Sequence, residues 1–563
     1  MWSVLLILCL HLVLTALPGV AAVLLAARLG LRSVPLLLAV GLAATGALAM
    51  LAFWAYYGNR QIGEAWSFFV LLGSIALVAW LLWERRIEAG LLRELALPLA
   101  LWALASAFLV FFGFLHGGSG FDEAVPMASL RFSGQLPSDN DIPLFYSEWF
   151  FQQGHHGVPP IYPGGWHASD RPPLQIGYVL LQRPLGWQTG GLHYEVLGVM
   201  LQQLWVIGLW ALLRAARIRR ATVALVMLAV LVSDLTIVNG FFTWPKLLPA
   251  AMLLAVAALV LTPLWAQLRS DWRAGALVGL LLALAMMGHG SSIFGVIPLA
   301  AIAAYRGLPS WRWLGVALLV GALVTVPWSQ YQKHGDPPGN RLTKWMLAGV
   351  TELDGPDPRG TKQAITDSYA EIGLGGAIHN KAENFAEMAG GGQMASYISD
   401  GWDSLGDGHF GDAAADVRVI GFFYLFPSLG LLLLAPLAML FALGRGRGRE
   451  PPEWSLALAC FFVVGVGALT WGLILFGTEP ARTSIHVGSL VIPLLAICGA
   501  VLGLRSVYPR LANWVAGTWI VLTLVVYTPA LQPPPGSSYS LLAALFAAAS
   551  LAGFCLLVRR PAL

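Results

Sequence analysis

Two short charged stretches about fifty residues apart hold the residue types best suited to chemistry. Asp122-Glu123 follows one apolar run, and Asp170-Arg171-Pro172-Pro173 precedes another. Between them stand Asp139-Asn140-Asp141 and Glu148, so residues 117–175 carry six acids and only two basic residues. A carboxylate near an apolar surface has a raised pKa and becomes a better general base. Arginine presents a planar fork that grips phosphate oxygens. Together these groups suit activation of a hydroxyl and recognition of a phosphate at a membrane surface.

Each residue also has a plainer use. Adjacent positions on a helix point about 100° apart, so Asp122 and Glu123 would serve different roles. Asp122 equally suits the N-cap of a helix over Glu123 to Phe132, with Pro126 tolerated in its first turn. Capping and catalysis are compatible there. Asp139 and Asp141 have the spacing with which two carboxylates share a divalent cation, but a polar turn after Pro137 is the more ordinary outcome. Asp170 and Arg171 make a substrate-binding pair or a surface ion pair ahead of a rigid Pro-Pro step. Lys246, His289, Arg482 and His486 sit at the ends of apolar runs, where a cation either meets a lipid phosphate or snorkels to the headgroups. His155, His156 and His167 match no standard ligand spacing.

The elements that must position these residues are membrane spans. A mean hydropathy of +0.72, with 58% hydrophobic and 11% charged residues, excludes an ordinary soluble domain. The 23 tryptophans suit long interfacial perimeters. No basic tract with interleaved aromatics appears, so no nucleic-acid partner is expected. Cys9, Cys460, Cys498 and Cys555 all lie in apolar runs and indicate neither a disulfide framework nor a zinc site. Met1 to Ala22 is apolar, like a secretory signal. It lacks a basic start, however, and the run continues to Ala27, which predicts a retained first span.

Apolar runs on the scale of a bilayer crossing centre near residues 15, 45, 75, 105, 203, 230, 257, 281, 298, 321, 431, 466, 494, 520 and 548. The two around Gly288-His289-Gly290 are short enough to be one broken helix. Residues 174–188 are too short and polar to cross, and predict a re-entrant or interfacial helix. With the N-terminus outside, every alternate loop carries a basic pair or cluster, from Arg28/Arg32 and Arg85/Arg86/Arg93 to Arg505/Arg510 and Arg559/Arg560. These inner loops hold 20 of the 33 Lys and Arg residues. Two long loops, 117–175 and 331–418, then face outward. The second opens with Asp336-Pro337-Pro338-Gly339-Asn340. It is expected to form short helices over Lys362 to Tyr369 and Ala377 to Met388, with a hinge at Gly390-Gly391-Gly392. The arginine-, alanine- and leucine-rich composition suggests a bacterial plasma membrane.

An outward Asp-Glu, then Ala128-Ser129-Leu130-Arg131-Phe132-Ser133-Gly134-Gln135-Leu136-Pro137, then charged-charged-Pro-Pro-Leu at Asp170 to Leu174, resembles the first outer loop of GT-C glycosyltransferases. It is most similar to the aminoarabinose-transferase and protein-mannosyltransferase-like branch, over about residues 95–330. About three extra spans precede the loop, and the second outer loop has no counterpart in the pattern. The resemblance implies an all-α polytopic membrane protein, a GT-C-like bundle of about 13–15 transmembrane helices with two large outer loops carrying short helices. Residues 1–94 would be the extra N-terminal helices, 95–330 the core, 331–418 the second outer loop and 419–563 the C-terminal helices.

The resemblance further implies an inverting transfer of a sugar from a polyprenyl-phosphate donor to a glycan, lipid or protein acceptor. Asp122 would be the base, and Glu123 would orient the acceptor or the donor sugar. Arg171, Lys246 and Arg482 would stabilise the departing phosphate. The cofactor stays open, with a divalent cation at Asp139 and Asp141 as the one candidate. Two other readings compete. In an O-antigen polymerase or ligase, Arg482 and His486 would lead. A lipid or solute transporter would show internal repeats and mid-membrane charges, whereas no repeat is visible and only Glu195 and Asp234 are acids within or near spans.

Overall fold

The computed structural model describes residues 1–84, 87–115, 123–132, 136–185, 191–350, 357–445, 451–477, 489–529 and 539–559. The described residues are helices joined by loops, with a single isolated bridge between Tyr162 and Trp166. Ten helices are long and apolar enough to cross a membrane, and an eleventh span forms if one bent pair is counted together. Four shorter apolar helices add to these. All fifteen predicted centres fall on one of these elements, but only ten reach spanning length unaided, fewer than the 13–15 expected.

The first four spans are α1 (Trp2–Arg28), α2 (Val34–Gly58), α3 (Arg60–Trp83) and α4 (Ala89–Gly113). Local chemistry sets their starts. Pro35 stands in the first turn of α2, where the missing N–H costs nothing, and the Asn59 side chain accepts the Gln61 N–H to open α3. The first long loop then carries α5 (Ala124–Arg131) and α6 (Ile142–Gln153). α7 (Leu174–Gln182) follows, and α8 (Gly191–Gln202) and α9 (Trp205–Ala215) together make one span. α10 (Arg220–Leu231) and α11 (Asp234–Phe241) are the bent pair, turned by 55° where Ser233 caps the second helix by accepting the Thr236 N–H. α12 (Leu247–Val260) lies buried along its whole length.

All nine residues of α7 are buried. At 1.5 Å per residue such a helix spans roughly 13–14 Å, less than half the hydrocarbon thickness. It is therefore too short to cross, as expected of residues 174–188, and is packed inside the protein. Gly177 makes this possible, because a Cβ there would lie 2.2 Å from the Ala49 carbonyl oxygen of α2. Small residues allow such close approach between membrane helices.

The second long loop carries the two expected helices, run together over Thr361–Met388 and separated by a kink at Gly373, where φ is 62°. Glycine adopts that left-handed conformation without a Cβ clash.

Candidate functional site

The site is built where the two long loops meet, at what is here termed the loop face. Asp170 ends a short 3-10 turn, Ala168–Asp170, and accepts the His167 N–H at 2.8 Å. Its carboxylate also takes Arg341 of the second loop, with Nε at 3.2 Å from both oxygens and Nη2 at 2.5 Å. Asp336, 1% exposed, accepts the Ser169 N–H at 2.8 Å and lies 3.3 Å from His167 Nδ1. Gln332 Nε2 donates to the Ser169 carbonyl at 2.9 Å. The start of the second loop is thus clamped onto residues 165–170 of the first.

Asp170 and Arg171 therefore do not pair with each other. Arg171 leaves the 3-10 turn with extended backbone, φ −115° and ψ 102°. It points inward to Asp139, with Nη2 2.9 Å from Oδ2, and its guanidinium lies 4.2 Å over the Trp166 ring. Arg171 and Asp139 are 8% and 6% exposed, and Arg171 Nε is buried without a hydrogen-bond partner. Burial pulls the Arg171 guanidinium below its ordinary pKa, while Asp139 and Asp170 push back.

Lys246 comes to the same place from the chain turn that leads into α12. Its Nζ lies 2.6 Å from His289 Nε2 and 3.7 Å over the Trp244 ring. His289 is in turn fixed at Nδ1 by Ser291, whose N–H donates at 3.2 Å. Burial holds the Lys246 ammonium well below lysine's ordinary pKa, with repulsion from Arg171 adding to the effect and Asp139 opposing it. Four of the predicted residues, Asp139, Arg171, Lys246 and His289, are therefore gathered into one buried cluster. Asp170 stands behind it as the loop clamp.

A polar network holds the cluster together. Asn140, in the 3-10 turn Ser138–Asp141, donates to the Val125 carbonyl of α5 at 2.8 Å, and its own carbonyl accepts the Tyr194 hydroxyl at 2.7 Å. Gln175 of α7 donates to the Tyr194 hydroxyl at 3.0 Å and to the Thr243 carbonyl at 2.8 Å. Gln202 of α8 donates to Gln175 at 2.9 Å and accepts the first two N–H groups of α12 at 2.9 and 3.1 Å. Thr243, held at a φ of 47°, donates to Glu195, which is 0% exposed. The chain from Asn140 to α12 sets Lys246 against Arg171.

Sequence reasoning missed this network, and also Asp336 and Arg341. The glutamines inside apolar runs were its available signal, since a polar side chain in a span needs a partner. Asp141 is partly buried, and burial raises its carboxyl pKa against the lowering effect of the Tyr162 hydroxyl at 3.4 Å. Among the described residues, no group of three or more His, Cys, Asp and Glu could hold a metal ion, and the Asp139 carboxylate is engaged by Arg171. Glu123 is exposed at the start of α5, with no side-chain capping bond. Asp122, Arg482 and His486 lie outside the described residues. An apolar cavity of about 310 Å³ between α1, α2, α4 and α9, lined by Thr15, Gly19, Gly41 and Trp102, includes none of the site residues.

The long apolar helices and the loop-face cluster define a multi-pass integral membrane protein. Compared with protein-family models, curated proteins and solved structures, the chain matches none.

Proposed function

We propose that the protein is an integral-membrane glycosyltransferase that uses a polyprenyl-phosphate-linked sugar at the outer face of a bacterial plasma membrane. In this reading the apolar helices form a GT-C-like bundle of 13–15 spans, and the loop face is the outer face. Asp122 takes the proton from an acceptor hydroxyl on a glycan, lipid or protein. The oxygen attacks the anomeric carbon, the bond from that carbon to the phosphate oxygen breaks, and the polyprenyl phosphate leaves with the electron pair. The anomeric centre inverts. Glu123 orients the acceptor or the donor sugar. Arg171 and Lys246 receive the phosphate, assisted by His289 and by Arg482 and His486.

One observation carries this reading. Arg171 pairs with Asp139 and keeps a buried donor, its Nε, without an acceptor, while Lys246, from a distant part of the chain, lies within electrostatic range of both. A site with an excess positive charge and an open guanidinium donor fits a phosphate oxygen. Asp122→Asn tests the base. Transfer from a polyprenyl-phosphate sugar should be lost while expression and folding persist, and full transfer in that variant would remove Asp122 from the mechanism. Solute transport into vesicles without any glycosyl transfer would overturn the whole reading.

A further inference from the structure

A second cationic centre lies on the loop face, apart from the Arg171–Lys246 cluster. Arg131 closes α5 and is 2% exposed, and Arg418, in the helix Phe410–Phe423, is 1% exposed. Among the described residues neither forms an ion pair. Arg131 donates to the carbonyls of Gly113 at 3.1 Å, Phe112 at 3.3 Å, Thr528 at 3.0 Å and Pro529 at 3.3 Å. Arg418 donates to the carbonyls of Val526 at 2.8 Å and Pro529 at 2.7 Å. The two guanidiniums thus share one carbonyl oxygen, that of Pro529.

The acceptors belong to the C-terminal ends of two helices, α4 and Pro509–Tyr527. A helix C-terminus presents roughly half a negative charge, so two of them offset about one of the two guanidiniums. Counting only the guanidiniums and these helix ends, an excess of about one positive charge is left in a buried place; the nearest carboxylate, Asp234, is bonded to Thr523 and lies toward the Tyr527 side. Two donors are also left over, since Arg418 Nη1 and the Tyr527 hydroxyl are both buried without a hydrogen-bond partner. The Arg418 guanidinium lies 5.8 Å from the centre of the Tyr527 ring, so the two side chains that carry these donors are neighbours. Capping of the helix ends explains the carbonyl bonds. It explains neither the leftover charge nor the leftover donors, because a buried charged donor is costly unless an acceptor meets it.

We infer that Arg131, Arg418 and Tyr527 form a binding site for a phosphate oxyanion, with Arg418 Nη1 and the Tyr527 hydroxyl donating to its oxygens. A phosphodiester carries a single negative charge, which matches the excess, and its oxygens suit a guanidinium fork. The same chemistry is offered by an anionic lipid headgroup and by free phosphate. The inference does not rest on glycosyl transfer, and its readout needs none.

The test uses the purified full chain in nanodiscs. Inorganic phosphate is titrated against chloride at constant ionic strength in phosphatidylcholine discs, and in a second arm phosphatidylglycerol replaces part of the phosphatidylcholine. Thermal unfolding and retained lipid by native mass spectrometry are read for wild type, Arg418→Lys and Tyr527→Phe. Tyr527→Phe removes only the hydroxyl and keeps the ring packing, so it stays informative if the arginine variant folds poorly. Wild type should be stabilised by at least one of the two probes, and each variant should bind it about tenfold more weakly. A response to phosphatidylglycerol alone identifies a lipid headgroup, and a response to inorganic phosphate identifies a soluble anion. The inference is overturned if neither probe stabilises wild type, or if Tyr527→Phe and Arg418→Lys respond as wild type does.

Discussion

Replacing Arg171 by methionine separates its two duties. The guanidinium is held 2.9 Å from Asp139, and both residues are more than nine-tenths buried. Removing it leaves a carboxylate without its counter-charge in a site closed to water, which costs about 3–5 kcal/mol. The lost stacking on Trp166 adds about 0.5–1 kcal/mol. Removing both charges, as Arg171→Met with Asp139→Leu, takes away the orphaned carboxylate as well, and stability should return to near the wild-type level. Catalysis should not return with it. If Arg171 donates to the departing phosphate, its loss lowers kcat by roughly 10²–10³, the usual effect of deleting one such donor, in the single and the double variant alike. The assay pairs a double-mutant unfolding cycle in mixed micelles with single-turnover transfer from a polyprenyl-phosphate sugar. Wild-type transfer by the double variant would reduce Arg171 to a structural partner of Asp139. A single variant as stable as wild type would refute the burial argument itself.

Two further outcomes follow from the same geometry. Gly177→Ala should destabilise the protein by about 1–3 kcal/mol through overpacking, since the new methyl meets the Ala49 carbonyl at 2.2 Å. Gly73→Ala, where nothing lies within 4 Å, should be neutral or slightly stabilising, and equal thermal shifts for the two would contradict the packing account. Lys246 sets a pH dependence on phosphate binding. Burial lowers its pKa in the empty site, whereas a bound anion favours the charged form and raises it, so binding takes up a proton. Donor affinity should be fullest below the empty-site pKa and should fall as pH climbs toward lysine's ordinary 10.5. Lys246→Met should flatten that profile, and an affinity that rises with pH would show that Lys246 does not face the phosphate.

The helices were legible because bilayer-scale apolar runs leave the backbone no alternative to internal hydrogen bonds. The short length of residues 174–182 was also legible, as was the break near Gly373, though as a gap between two helices. Pairing was not. Asp170 and Arg171 read as a neighbouring ion pair, yet each side chain is taken by a partner distant in sequence. Their partners, Arg341 and Asp139, lie 171 and 32 residues away along the chain. Nothing in Asp336-Pro337-Pro338-Gly339-Asn340 beyond its turn chemistry announced a clamp on Ser169. Lys246 and His289 were each visible as a cation at the end of an apolar run, but their 2.6 Å approach depends on how α12 packs.

Two consecutive residues give the loop face its division of labour. Asp170 holds Arg341 of the second loop and Arg171 pairs with Asp139 in the buried cluster, so docking of the loops and placement of the cation are set by the same stretch of backbone. The polar network then ties that backbone to the start of α12 through Tyr194, Gln175 and Gln202, inside a region where an unpaired amide is expensive. Each of these groups constrains the next, because a shift of any one would orphan a donor or acceptor beyond the reach of water. Arg171 and Lys246 are consequently held close together despite their mutual repulsion. A pair of like charges kept in place by a buried hydrogen-bond network is preorganised for an anion, since the unfavourable approach is made during folding and not at the moment of binding.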